Sequence, residues 1–163
     1  MGYIMTDLSR PGLPSKGIIA DLSEQDRLLL SDYGEFRIAK AGETLIEEGE
    51  AQEALFFIIS GLVHVHSDEQ TRRTLIARVG EGETIGEVNL FDPGIASASV
   101  TAKEQTELWR VTREDIDAFL TNYPEAGGRL LAAIVTQMCR RIRRMNERLA
   151  AKELEAGFHE FWH

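Results

Sequence analysis

Between residues 35 and 112 the chain is a succession of short β-type runs, "EFRIA", "ETLIEE", "LFFIIS", "LVHVHS", "RTLIARV", "SASVTA" and "TELWRV", cut by turn residues at Gly42, Gly49, Gly61, Gly80 and Gly82. Each run has the length of a single strand, and glycine supplies the backbone freedom that a tight reversal needs. Intervals of one strand plus one turn favour antiparallel strands closed into a roll or sandwich over a parallel α/β sheet, whose crossovers need a dozen or more residues. No long helical pattern interrupts this body, so the expected fold class is mainly β with flanking helices.

The flanks carry different signals. Residues 1–20 contain Pro11 and Pro14 and show no sustained period, which predicts an irregular N-terminal arm. In "LSEQDRLLLSDYG", Ser23 is placed as an N-cap and Gly34 as a stop, with Leu28, Leu29 and Leu30 between them, so a short helix is expected. Beyond the β body, Thr112 followed by Asp115 resembles a capping box, and Pro124 suits the first turn of a second, longer helix. In that helix Leu131, Val135, Met138, Ile142, Met145 and Leu149 alternate steps of four and three, an a/d seam that wants a partner helix and predicts a homodimer. The alternative is one apolar face buried within the domain itself. Leu130 and Ile134 lie off the seam and are expected to pack back on the β body. The resulting division is an arm at 1–20, the β body at 21–122, a dimerisation helix at 123–155 and an aromatic tail at 156–163 with Phe158, Phe161 and Trp162.

Composition narrows the function classes. A length of 163 residues with a hydrophobic fraction of 43% fits one domain with a real core. No apolar run approaches the length of a membrane span and no charged-then-apolar leader opens the chain, so a cytoplasmic protein with no membrane partner is expected. The net charge of −9 opposes broad contact with nucleic acid. The local exception is "RRIRRMNER", residues 140–148, which reads as a solvated helix face unless Arg143 or Arg144 swings toward a ligand. Cys139, the one cysteine, cannot form an internal disulfide and falls in the helical pattern, which predicts a packed thiol.

The segment "GETIGEVNLFDPGIASASV", residues 82–100, has the outline of a loop that holds a phosphate: glycines, one carboxylate and a run of small donors. It contains no cation, and none occurs between Arg78 and Lys103. Together with "GETLIEEG" (42–49), "FFIISGLVHVH" with Gly61 after an apolar strand, and "LWRVTREDIDAFLTNYPE" leading into the last helix, it resembles the cyclic-nucleotide-binding domain of the catabolite gene activator group of bacterial regulators. The resemblance covers roughly residues 22–149. It implies a jelly-roll-like double-stranded β-roll with an N-terminal helix and a long C-terminal dimerisation helix, and it implies cAMP or cGMP as ligand with no cofactor required.

Residue chemistry and the resemblance together suggest a site. Glu87 can accept a hydrogen bond from the ribose 2′ hydroxyl, and Gly86 allows close backbone approach. "EVNLF" is expected to turn as a short helix whose first N–H groups, beginning at Val88, suit a phosphate. Ser97 adds a hydroxyl and the backbone around Ala98 adds N–H donors. The resemblance implies a phosphate-pairing arginine at the position of Ala96, which this chain lacks. Where the activators reach the base across the dimer, this chain has Met145, which packs, and Asn146, which can hydrogen-bond a base edge. The activators continue into a helix-turn-helix, whereas only "AAKELEAGFHEFWH" follows Leu149, so direct DNA binding by this chain is not expected.

Catalytic and metal readings are weaker. "HEFWH" (159–163) has the spacing of a zinc-protease motif but sits at the end of the chain with no third ligand, and a catalytic zinc needs three protein ligands and an open position. His64 and His66 alternate on a strand, as in metal-binding cupins, yet no correctly spaced glutamate and histidine follow, so a solvated strand face is expected. No G-x-S-x-G elbow occurs. The sequence therefore predicts no catalytic and no metal residues. It predicts a non-enzymatic regulatory or sensor module, binding a cyclic nucleotide weakly or in an altered mode. The alternatives are a degenerate fold kept for dimerisation and contact with an unknown protein partner, or the ligand domain of a split transcriptional regulator.

Overall fold

The computed structural model describes residues 11–69 and 72–160. A 3-10 turn at Gly17–Ile19 leads to α1 (Glu24–Ser31). The β body follows as β1 (Glu35–Ala39), β2 (Thr44–Ile46), β3 (Ala51–Gln52), β4 (Ala54–Ser60), β5 (Leu62–Glu69), β6 (Arg72–Gly80) and β7 (Thr84–Ile85). A short helix, α2 (Glu87–Phe91), then precedes β8 (Gly94–Ile95), β9 (Ser99–Ala102) and β10 (Thr106–Thr112), and α3 (Arg113–Asn122) and α4 (Pro124–Glu160) end the described chain.

Local chemistry sets these boundaries. The Ser23 hydroxyl accepts from the Asp26 amide at 3.0 Å and caps α1. At α3 the capping box is complete, with Thr112 Oγ1 accepting from the Asp115 amide and Asp115 Oδ2 accepting from the Thr112 amide. Gly61 joins β4 to β5 at a φ of +100°, and a Cβ there would stand 2.6 Å from Thr106 Oγ1, so the hairpin requires glycine on two counts.

The strands form two four-stranded antiparallel sheets, β1-β10-β4-β7 and β2-β9-β5-β6, with β3 and β8 as a small pair. This is the expected β-roll with an N-terminal helix and a long C-terminal helix. Strand β4 explains how one roll serves two cores. Its side chains alternate, so Ala54, Phe56 and Ile58 fill the inside of the roll while Leu55 and Phe57 join Trp109, Ile116, Phe119, Leu130 and Ile134 under the helices. A strand buried on both faces reads as the continuous apolar run "ALFFII".

Several expectations need correction. Within 11–20, Leu13 and Ile19 are buried and the Leu13 amide donates to Ser31 Oγ at 2.9 Å, so this stretch is part of the helix-side core; residues 1–10 lie outside the described residues. Helix α4 does not end at 155: Gly157 costs only about 1 kcal/mol in a helix and follows the good helix formers Glu153, Leu154, Glu155 and Ala156, and the helix runs to Glu160. The separate tail at 156–163 is thus replaced by helix up to 160, and its remainder falls outside the described residues. Cys139 is exposed, not packed, since it projects beside the seam position Met138 and away from the roll. No described helix is long and apolar enough to cross a membrane.

Candidate functional site

The segment 84–96 is shaped by contacts with β4 and α3. Strand β7 pairs with β4, Phe56 opposite Ile85 and Phe57 opposite Thr84, which brings Gly86 against the start of β4. Gly86 has φ +85°, and a Cβ there would lie 2.3 Å from the Ala54 carbonyl oxygen, so no other residue fits this approach without a shift of backbone. Helix α2 starts immediately after it. Arg113 Nη1 donates to the Leu90 carbonyl at 2.8 Å and Asn89 Nδ2 to that of Ile95 at 3.1 Å, which fixes the return into β8. Ala96 then bonds Glu50 and Gly49 through its own amide and carbonyl, both at 2.8 Å.

Between this segment, the β5, β6 and β9 wall and helix α4 lies a cavity of about 290 Å³. Gly86, Glu87, Val88, Ala96, Ser97 and Ala98 all line it, as do Met138, Ile142 and Met145 from the seam of α4. Asn146 does not; it is exposed on the helix. Ala96 is buried, whereas Ser97 is exposed. Along the seam Val135, Ile142, Met145 and Leu149 are 54–59% exposed, an apolar edge left open beside the cavity.

The polar side of the cavity is an ion pair. Glu87 is buried, its Oε1 accepts from Arg141 Nη1, and its Oε2 is buried with no hydrogen-bond partner among the described residues. Arg141 Nη2 donates to the Thr84 carbonyl. One turn earlier on α4, Gln137 Nε2 donates to Thr84 Oγ1 at 2.5 Å while Gln137 Oε1 accepts from the Thr84 amide at 3.2 Å. Two consecutive turns of α4 are thereby bonded to the two residues that flank Ile85 and Gly86.

Sequence reasoning missed Arg141, Gln137 and Thr84. The basic run is not only a solvated face, and the arginine turned inward is neither Arg143 nor Arg144. A signal was present: Leu130, Ile134, Gln137 and Arg141 follow steps of four, three and four, so the stripe that packs on the body continues through both polar residues.

The profile of the family described as cyclic nucleotide-binding domain matches residues 36–123. The chain belongs to the cyclic nucleotide-binding domain family. This domain is 32% identical over 122 residues to the cyclic AMP receptor protein of Thermus thermophilus, covering 72% of the chain and 55% of that protein. It is 31% identical over 110 residues to a CRP-like cAMP-activated global transcriptional regulator of Mycobacterium tuberculosis, covering 67% and 47%. Among solved structures, the domain superposes on a cyclic nucleotide-binding domain from Methylobacillus flagellatus with a TM-score of 0.76 at 28% identity, covering 81% of the chain and 75% of that one. The catabolite activator protein of Thermus thermophilus gives 0.71 at 27%, covering 83% and 62%. The chain spans about half the length of the curated relatives it matches.

The histidine strand also departs from expectation. His66 is buried rather than solvated, with Nε2 2.9 Å from Thr101 Oγ1 and Nδ1 3.4 Å from Asp68 Oδ1, because β9 and the Asp68 side chain close over it. His64 is half-buried, and burial first, then the charges of Lys103, Arg78 and His66, hold its imidazole below the ordinary histidine range. No group of three or more metal-ligating side chains occurs among the described residues, and the His159–His163 reading lies outside them.

Proposed function

We propose that this domain is a non-enzymatic regulatory module whose cavity takes a small molecule of the cyclic-nucleotide class, weakly or in an altered mode, and which signals to a second copy through α4. The observation that carries this reading is Glu87: a buried carboxylate on the cavity wall with one oxygen held by Arg141 and the other without a partner. A buried acceptor left open is costly, and a ligand hydroxyl satisfies it. Relatives at this level of identity named for cyclic AMP support the ligand class.

In this reading the ribose 2′ hydroxyl donates to Glu87 Oε2, the backbone at Gly86 and Val88 approaches the sugar-phosphate ring, and Ser97 and the amide of Ala98 face the phosphate. Ala96 brings no charge, which is the altered part of the mode. Met138, Ile142 and Met145 cover the base, with Asn146 reaching its edge from the second copy, and the seam from Leu131 through Val135 to Leu149 joins the two helices. Because Gln137 and Arg141 bond α4 to Thr84 and Glu87, a ligand that takes Glu87 biases where α4 lies, which is a shift between two dimer arrangements. Direct DNA contact is not assigned to this acidic chain.

One observation favours the second reading, a fold kept for dimerisation and contact with another protein, such as the DNA-binding partner of a split regulator. Arg141 already satisfies half of Glu87 without any ligand. Thermal unfolding with cyclic AMP, cyclic GMP and 2′-deoxy cyclic AMP separates the two. The proposal predicts a rise in Tm that is absent with the 2′-deoxy analogue and absent in Glu87→Ala; no rise with any nucleotide at millimolar concentration supports the second reading.

A further inference from the structure

Glu87 and Arg141 are the charged residues lining the cavity among the described residues, and they are bound to each other. The chamber therefore carries no net formal charge. Most of its wall is aliphatic or thioether, as at Ile46, Val79, Ile85, Val88, Val100 and Met138. Its volume, about 290 Å³, is at the small end of ligand sites, which run from about 300 to 1,000 Å³. An anion entering this place gives up its water and meets a pair that has already neutralised itself, and desolvating an ion without a counter-charge is unfavourable.

Arg141 is not free to serve as that counter-charge. Its Nη1 is held by Glu87 and its Nη2 by the Thr84 carbonyl, and turning it away strands the Glu87 carboxylate, which is only 5% exposed. The positive end of α2 is likewise matched from within, since Glu87 is the acidic residue of its first turn. What Glu87 Oε2 lacks is a donor, since it is a buried acceptor with nothing bonded to it among the described residues.

We infer that the cavity selects an uncharged ligand: an apolar or aromatic body, nucleoside-sized or smaller, whose hydroxyl or N–H donates to Glu87 Oε2. A negative phosphate on such a ligand weakens binding instead of supplying it. This deepens, and rests on, the proposal that the cavity binds a small molecule through Glu87.

The test is calorimetric titration of the whole chain with three probes that share a ribose and base: cyclic AMP, its uncharged methyl phosphotriester, and adenosine. At least one uncharged probe is expected to bind about tenfold or more tightly than cyclic AMP, the loss expected for burying a charge without a partner. Ala96→Arg puts a cation on a buried part of the wall and is expected to raise cyclic AMP affinity about ten- to a hundredfold, which reverses the preference for the uncharged probes. Ser97→Arg, at the exposed neighbouring position, gives the same comparison if Ala96→Arg fails to fold. Cyclic AMP binding the wild type as tightly as both uncharged probes overturns the selectivity while leaving ligand binding in place. Absence of saturable heat with all three probes overturns both.

Discussion

Arg141 and Glu87 are separated by 54 residues, and the guanidinium of one closes on the carboxylate of the other across the cavity wall. Glu87 is almost fully buried and Arg141 only partly, so the pair is more consequential when broken than when made. Arg141→Gln is expected to destabilise the fold by about 2–3 kcal/mol, because it leaves Glu87 buried without its charged donor. Adding Glu87→Gln to that variant removes the stranded charge and is expected to restore a large part of the loss. Urea unfolding of the two single variants and the double variant measures this coupling; additive losses contradict it.

Gly86→Ala is expected to be among the most damaging single-methyl changes in the chain. The position has φ +85° and its Cβ would press on the Ala54 carbonyl at 2.3 Å, so strain of at least about 1–3 kcal/mol is expected from the backbone conformation alone. A drop in Tm together with loss of ligand response is the predicted result. Gly128, which has open space at its Cβ, is the control: Gly128→Ala is expected to be neutral or stabilising, as helical glycine replaced by alanine gains about 1 kcal/mol.

The fold was legible in the sequence because its determinants are local. Gly61 and Gly86 mark positions that only glycine fills, the Thr112 and Asp115 pair announces α3, and the continuous apolar run of β4 reports burial on two faces. Half of the candidate site's lining was equally legible, since Gly86, Glu87, Ala96 and Ser97 lie on one continuous segment. Arg141 was not, because four similar arginines stand at 140, 141, 143 and 144, and only the phase of α4 on the roll decides which turns inward. That phase is set by Leu130 and Ile134, whose burial comes from tertiary packing with β4 and α3. The burial of His66 was hidden for a related reason: it depends on a neighbouring strand 35 residues away, at Thr101.

His64 makes stability depend on pH. Burial and the nearby cations lower its folded value from 6.5, so in acid the unfolded chain binds a proton that the folded chain does not. Stability contributed in this way is complete above the unfolded value and is lost as pH falls from there toward the folded one, with a slope of at most about 1.4 kcal/mol per pH unit for one proton. Unfolding free energies measured from pH 8 to pH 5 are expected to show this fall, and His64→Asn is expected to flatten it. Lys103→Gln is expected to raise the His64 midpoint read from its ring protons by NMR.

The exposed seam of α4 predicts a dimer that can be separated from ligand binding. Val135 and Leu149 are 57% and 59% exposed and do not line the cavity, unlike Ile142 and Met145. Each apolar side chain covered in a dimer contributes about 1.5–3 kcal/mol, so Val135→Asp with Leu149→Asp is expected to raise the dimer dissociation constant at least about tenfold. Sedimentation velocity across a concentration series reads this directly. An unchanged association constant contradicts the seam.

The central claim is that the cavity beside Glu87 takes a ligand of the cyclic-nucleotide class through that carboxylate, and calorimetric titration of the wild-type chain with cyclic AMP and cyclic GMP tests it most directly. The account predicts saturable heat with at least one of them, at low affinity, and loss of that heat in Glu87→Ala under the same conditions. No heat from either nucleotide at millimolar concentration, or heat that persists unchanged in Glu87→Ala, contradicts it.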